Sequence, residues 1–190
     1  MPRNKEFDYE EKLATARDLF WKKGYSATTM NDLVDTMQIN RSSLYLAYGN
    51  KHDLFLKSLA NYIQKKDKQY SQAARKGEKP LDAIRNVIIS VMESALRETD
   101  CLFTNSVFEL ATTDSEVKEI LKKQHMKAVD LFEKLIKQAQ EDGELSLDKD
   151  PRPWAHFLVS GLVSIYNTHI LFTDPKLTKQ TTEILIGSIK

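Results

Sequence analysis

The sequence predicts an all-α protein of about nine helices. Two observations carry that prediction. Apolar residues recur at helical spacing almost from end to end, and the two-residue alternation of a half-buried strand is absent. Capping residues, prolines and glycines then punctuate the pattern where helices should begin and stop.

The elements follow in order. Tyr9, Leu13, Ala16 and Phe20 line one face of a first helix, which Gly24 stops. Thr29 and Asp32 have the spacing of a capping box and open a short second helix carrying Leu33, Val34 and Met37. Asn40 caps a third helix from Arg41 to about Tyr48, ended by Gly49; Asn50 with Asp53 opens a long fourth through Phe55, Leu59, Tyr62 and Ile63. Pro80 starts a helix with Leu81, Ile84, Ile88, Val91 and Ala95, and another is expected from about Leu102 to Ala111. The stretch from Thr113 to Glu116 opens the next, whose stripe runs from Val117 to Ala139 and fades at Gly143. Asp150 before Pro151 and Asp174 before Pro175 each place an N-cap ahead of a first-turn proline, and open the last two helices.

Composition narrows the class. A chain of 190 residues with 41% hydrophobic and 29% charged residues suits an ordinary globular fold. The formal charge of +1 hides an uneven distribution. Met1 to Asn40 carries six bases against seven acids, a net of −1, whereas Arg41 to Lys76 carries eight against two, a net of +6. Within that block Lys65 to Lys68 reads as a solvated helix face. The lone Cys101 excludes an intramolecular disulfide and fits a reducing cytoplasm. Met1 to Phe7 is polar with no apolar stretch behind it, so no secretion signal is expected. The run from Phe157 to Phe172 is interrupted by Ser160, Ser164, Asn167, Thr168 and His169, and reads as too short and too polar to span a bilayer.

Catalytic readings find little support. His52, His125, His156 and His169 lack metal-ligand spacing with one another or with Cys101, and no Gly-x-Gly occurs. Ser115 and Lys118 match a Ser-x-x-Lys pattern without its companion motifs. No cofactor, no metal and no enzymatic activity are expected.

Thr28 to Lys51 has the form of a helix-turn-helix. Direct reading of DNA needs a short rigid helix whose first turn carries small or hydrogen-bonding side chains, braced by a preceding helix. Thr29 to Met37 is the brace, Gln38 to Asn40 the turn, and Arg41, Ser42 and Ser43 the exposed start of the reading helix, with Ile39 and Leu44 as apolar plugs. The run from Ala14 to Leu33, ending its first helix in Phe20-x-x-x-Gly24-Tyr25 before Thr28 and Thr29, and the run from Ile39 to Phe55, with Ser43-Leu44-Tyr45 and Lys51-x-x-Leu54-Phe55, together resemble the TetR family of repressors. The resemblance is close over about a quarter of the chain.

It implies a three-helix DNA-binding head over residues 1–50 and a helical ligand-binding and dimerisation domain over 51–190. It also implies roles. Thr28 and Thr29 would donate to phosphates at the start of the brace helix, while Arg41, Ser42 and Ser43 would face base edges. Tyr45 and Tyr48 would pack or hydrogen-bond along the DNA backbone, and Lys51 would pair with phosphate. The chain departs from the family at Ala47, often His, and at Gln38, usually Gly.

The second half carries further expectations. The helix from Trp154 to Phe172 is apolar on more than one side, which implies a partner helix. Leu158, Leu162 and Ile165, with Leu177, Ile184 and Leu185, are the expected homodimer face. A two-fold dimer would set reading helices about 34–36 Å apart on a palindromic double-stranded operator. For a small-molecule effector the candidates are Phe103, Asn105, Phe108 and Glu109, with His125, Phe132, Trp154, Tyr166 and His169. Glu109 could select a cation, or pair with a local base. The reading is thus a cytoplasmic DNA-binding repressor without a membrane partner. A protein-interaction module, an activator and a ligand-free regulator remain as alternatives.

Overall fold

A computed structural model describes residues 7–98 and 101–189, and among these it contains nine helices and no strand. They are α1 (Tyr9–Lys23), α2 (Met30–Met37), α3 (Arg41–Tyr48), α4 (Lys51–Ala74), α5 (Pro80–Arg97), α6 (Leu102–Leu110), α7 (Ser115–Glu141), α8 (Pro151–Phe172) and α9 (Pro175–Gly187). The caps are the predicted ones with one shift: Asp114, rather than Thr113, caps α7 by accepting from the Glu116 and Val117 N–H groups.

The chain divides into two compact units, and the division differs from a cut at residue 50. The first comprises residues 1–65 and 102–118, the second residues 66–101 and 119–190. So α4 as far as Lys65, all of α6 and the opening turn of α7 belong with the head.

In the first unit, Leu13, Ala16 and Phe20 of α1 are buried with Leu33 and Met37 of α2, Leu44 and Tyr48 of α3, and Leu54, Phe55 and Leu59 of α4. Phe20 meets Phe55 edge-on with ring centres 5.2 Å apart. Arg17 is also buried; its guanidinium donates to Asn61 and Asp18, so the charge is not left unpaired.

In the second unit α5 packs on α8 and α9, and α8 on α9. The inward side of α5 is Ala83, Ile84, Val87, Ile88, Val91 and Ala95; that of α8 is Ala155, Leu158, Val159, Leu162, Ile165 and Tyr166. Gly161 allows α9 close, because a Cβ there would stand 2.6 Å from the Leu185 methyls. The whole of α8 is long and apolar enough, by length and composition alone, to cross a membrane, a test that the core helix of a folded protein also passes. Its apolar residues are instead divided between the α5–α9 core and an outer face.

That division corrects the expected dimer face. Leu158, Leu162 and Ile165 are 0%, 5% and 2% exposed within a single chain and have no surface left for a partner. Leu185 fits against Gly161, and Leu177 is half-buried. Only Ile184 is exposed, at 73%; on α8 the outward apolar residues are Phe157, Ile170, Leu171 and Phe172.

Candidate nucleic-acid interface

The turn between α2 and α3 is built by local hydrogen bonding. The Thr29 hydroxyl accepts from the Asp32 N–H while the Asp32 carboxylate accepts from the Thr29 N–H, a complete capping box. Gln38 ends α2 in the left-handed conformation, with φ 55°. Asn40 then caps α3 through a 2.8 Å bond from the Ser43 N–H, and Ile39 and Leu44 anchor turn and helix in the core. Lys57 closes the far end, donating to the Tyr48 carbonyl at 2.7 Å.

The resulting α3 is two-sided. Leu44 and Tyr48 are fully buried; Arg41, Ser42, Tyr45 and Leu46 face solvent, and Ser43 and Ala47 lie half-buried between them. The first turns of α1, α2 and α4 carry Glu10 and Glu11, Asp32, and Asp53 respectively, whereas that of α3 carries no acid. No carboxylate opposes the positive end of its dipole, where the Asn40 side chain accepts from the Ser43 N–H.

Several expected contacts are redirected. Thr28 is 0% exposed and its hydroxyl donates to the Gly24 carbonyl at 2.6 Å, so it locks the α1–α2 turn rather than meeting phosphate. Tyr48 is likewise inside: its hydroxyl donates to the Tyr9 carbonyl at 2.8 Å and its ring stacks on Tyr9. Burial, then Tyr9 and Glu10, push its pKa above the ordinary phenol value. Thr29 is exposed, but Asp32 already occupies the α2 N-terminus. The Lys23, Thr29 N–H and Thr29 hydroxyl bonds hold that carboxylate far below its usual range.

Lys51 opens α4 with its ammonium 4.3 Å from the Tyr25 ring centre. Beside it lies Glu109 of α6, which accepts from the Ser26 N–H at 2.6 Å and the Tyr25 N–H at 3.0 Å. Burial raises its pKa, but these two amides and Lys51 outweigh burial, and the carboxyl titrates below its ordinary value. Gly24, with φ 80°, is needed here, since a Cβ would come within 3.2 Å of the carboxylate. A second tie joins His52 to Asp114 at 2.7 Å. Glu109 is therefore a clasp on the head, with Lys51 as its nearby base, rather than a free carboxylate available to select a ligand.

The other effector candidates are divided between the two units. Phe103, Asn105 and Phe108 share the first unit with Glu109, and Phe108 is 76% exposed. In the second unit Phe132 is 0% exposed and part of the core, His125 stacks on His156, Trp154 meets Phe157 edge-on, and His169 lies 3.4 Å from the Thr178 hydroxyl. Tyr166 stands in a polar group that the sequence reading missed. Lys66 donates to Glu98 at 2.8 Å and to the Tyr166 hydroxyl at 3.1 Å; Gln69 donates to Ser94 at 2.8 Å. The Lys66 side chain is 12% exposed, which corrects the solvated-face reading at that residue. Its available signal was the spacing of Lys66, Gln69 and Tyr70, one helical turn, opposite Ser94 and Glu98, also one turn apart. Burial first, then Cys101 and Glu98, keep Tyr166 well above an ordinary phenol.

Comparison with known proteins matches the chain in two stretches. Residues 13–57 match the description "Bacterial regulatory proteins, tetR family", and residues 77–185 match "Tetracyclin repressor-like, C-terminal domain". The HTH-type transcriptional regulator YezE of Bacillus subtilis (strain 168) is 30% identical over 169 residues, covering 87% of each chain. The HTH-type transcriptional repressor ComR of Escherichia coli (strain K12) is 26% identical over 160 residues, covering 82% of this chain and 76% of the relative. Among solved structures, a cysteine mutant of the TetR family regulator CifR, complexed with 26 bp operator DNA, superposes with a TM-score of 0.86. Its identity is 21%, over 99% of this chain and 100% of that one. The second match alone spans more than half the chain, and with the head it settles the matter: this protein belongs to the tetR family of bacterial regulatory proteins, a transcriptional regulator and not an enzyme.

Proposed function

We propose that this regulator is a cytoplasmic homodimeric repressor that holds a palindromic operator through α3 and releases it when a small molecule occupies the second unit. The observation that carries the reading is α3 itself. A short helix with a rigid buried side presents Arg41, Ser42 and Tyr45 outward, bears no acid, and begins a segment of net charge +6. Arg41 supplies the bidentate donor suited to guanine, and Lys51 a phosphate partner. Repression is favoured over activation by the repressor among the relatives.

Dimerisation uses the outward ridge of α8, Phe157, Ser160, Ser164 and Leu171, with Ile184 of α9. The effector site falls at the polar group around Lys66, Glu98 and Tyr166, where a ligand with its own donor and acceptor replaces the internal bonds. Ligand binding favours a conformation of the dimer whose heads no longer match the operator.

The test is binding of the full chain to its own promoter region across a salt series. Affinity falls steeply with salt, and Lys51→Ala lowers the slope by about one phosphate's contribution. Arg41→Ala weakens specific binding about tenfold to hundredfold. If both variants bind as the wild type does, the reading is wrong.

A further inference from the structure

The solvent-facing arc of α3 holds one residue that these operator contacts leave unexplained. Leu46 is 91% exposed, more than any other large hydrophobic side chain among the described residues. On a helix of 3.6 residues per turn, Arg41, Tyr45, Ser42 and Leu46 occupy successive positions over about 140° of the surface. Leu44 and Tyr48 hold the buried side. Leu46 therefore stands one turn along from Ser42, with a guanidinium, a hydroxyl and a phenol as its companions.

An isolated leucine among polar groups is too small a patch to dock a helix or a membrane. Its surroundings favour a polyanion: α3 carries no acid, and the basic block begins on the same helix. The major groove of B-DNA offers one apolar group to such a side chain, the C5-methyl of thymine. We propose that Leu46 is a specificity-determining residue that packs on a thymine methyl in each operator half-site. The assignment rests on the operator binding proposed above.

The experiment first selects half-sites from random duplexes with the full chain. Each thymine of the selected site is then replaced by deoxyuracil, which removes the methyl and keeps every hydrogen-bonding group. At one position the replacement weakens wild-type binding about fourfold per half-site, the effect of exposing one buried methyl. Leu46→Ala, at a side chain outside the core, stays folded and loses that sensitivity. Leu46→Asn, able to bond adenine, shifts the base selected there. Equal binding of thymine and deoxyuracil duplexes at every position overturns the proposal, as does an unchanged deoxyuracil penalty in Leu46→Ala; both results leave operator binding standing. A wild-type chain that selects no sequence overturns the operator reading, and the leucine assignment with it.

Discussion

α3 and α8 are the two helices whose outward faces matter most, and they yield very differently to sequence reading. α3 has 8 residues, and two large apolar side chains, Leu44 and Tyr48, define its inner side. Everything opposite them is outward by default. α8 has 22 residues and is apolar around most of its circumference, so periodicity cannot say which stripe faces in. The stripe Leu158, Leu162 and Ile165 was expected outside and is core; the outer ridge runs through Phe157, Ser160, Ser164 and Leu171. The lesson is geometric. Amphipathic contrast, rather than hydrophobic content, reveals orientation, and a helix whose outer face mixes Phe157 and Leu171 with small serines lacks that contrast.

The largest effect should separate the two sides of α8. Leu158→Ala empties a fully buried position and costs about 2–5 kcal/mol of folding stability, read by chemical denaturation. Ile184→Ala on the outer face changes that stability by less than about 0.5 kcal/mol and weakens the dimer in sedimentation. If Leu158→Ala leaves the fold intact and splits the dimer, the assignment of inner and outer faces is reversed.

The same contrast on α3 is smaller. Arg41→Ala loses about 1–3 kcal/mol of operator binding with an unchanged melting temperature. Tyr48→Phe, which removes the 2.8 Å bond to the Tyr9 carbonyl, loses about 1 kcal/mol of stability. Operator selection by the Tyr48→Phe protein, measured at a temperature where it remains folded, should match the wild type. A changed base preference would return Tyr48 to the DNA surface.

Much of the head was legible because its determinants are local. The Thr29–Asp32 box, the Asn40 cap and the Asn50–Asp53 pair each act within three residues, and each forms as its spacing suggests. The clasp was not legible. Glu109 lies 83 and 84 residues from the amides it holds, and nothing in a single sequence links one acid of α6 to two peptide N–H groups in a distant turn. Lys66 was hidden for the opposite reason: it sits among Lys65 and Lys68, which are exposed, and composition averages the three.

Glu109 gives the third prediction. Its folded pKa lies below the ordinary 4.5, so its stabilisation is fully present above the unfolded value and disappears as pH falls through the folded one. Glu109→Gln keeps one acceptor, costs about 1 kcal/mol at neutral pH, and flattens the acid limb of stability against pH. An acid limb identical to that of the wild type would remove Glu109 as its source.

The smallest expected effect concerns Gln38, where the chain departs from its family's usual glycine. With φ 55° this residue adopts the left-handed region, in which a Cβ crowds the following carbonyl at a cost of about 1–2 kcal/mol. Its side chain recovers part of that by donating to the Asp35 carbonyl at 3.0 Å. Glycine would relieve the strain but lose this bond and increase the freedom of the unfolded chain. The balance favours Gln38→Gly by about 0.5 kcal/mol, visible as a shift of denaturation midpoint with unchanged slope. Because the turn fixes the angle between brace and reading helix, operator affinity should hold while stability rises. A loss of affinity in a more stable Gln38→Gly protein would mean that the glutamine, and not merely the left-handed turn, sets how α3 is presented.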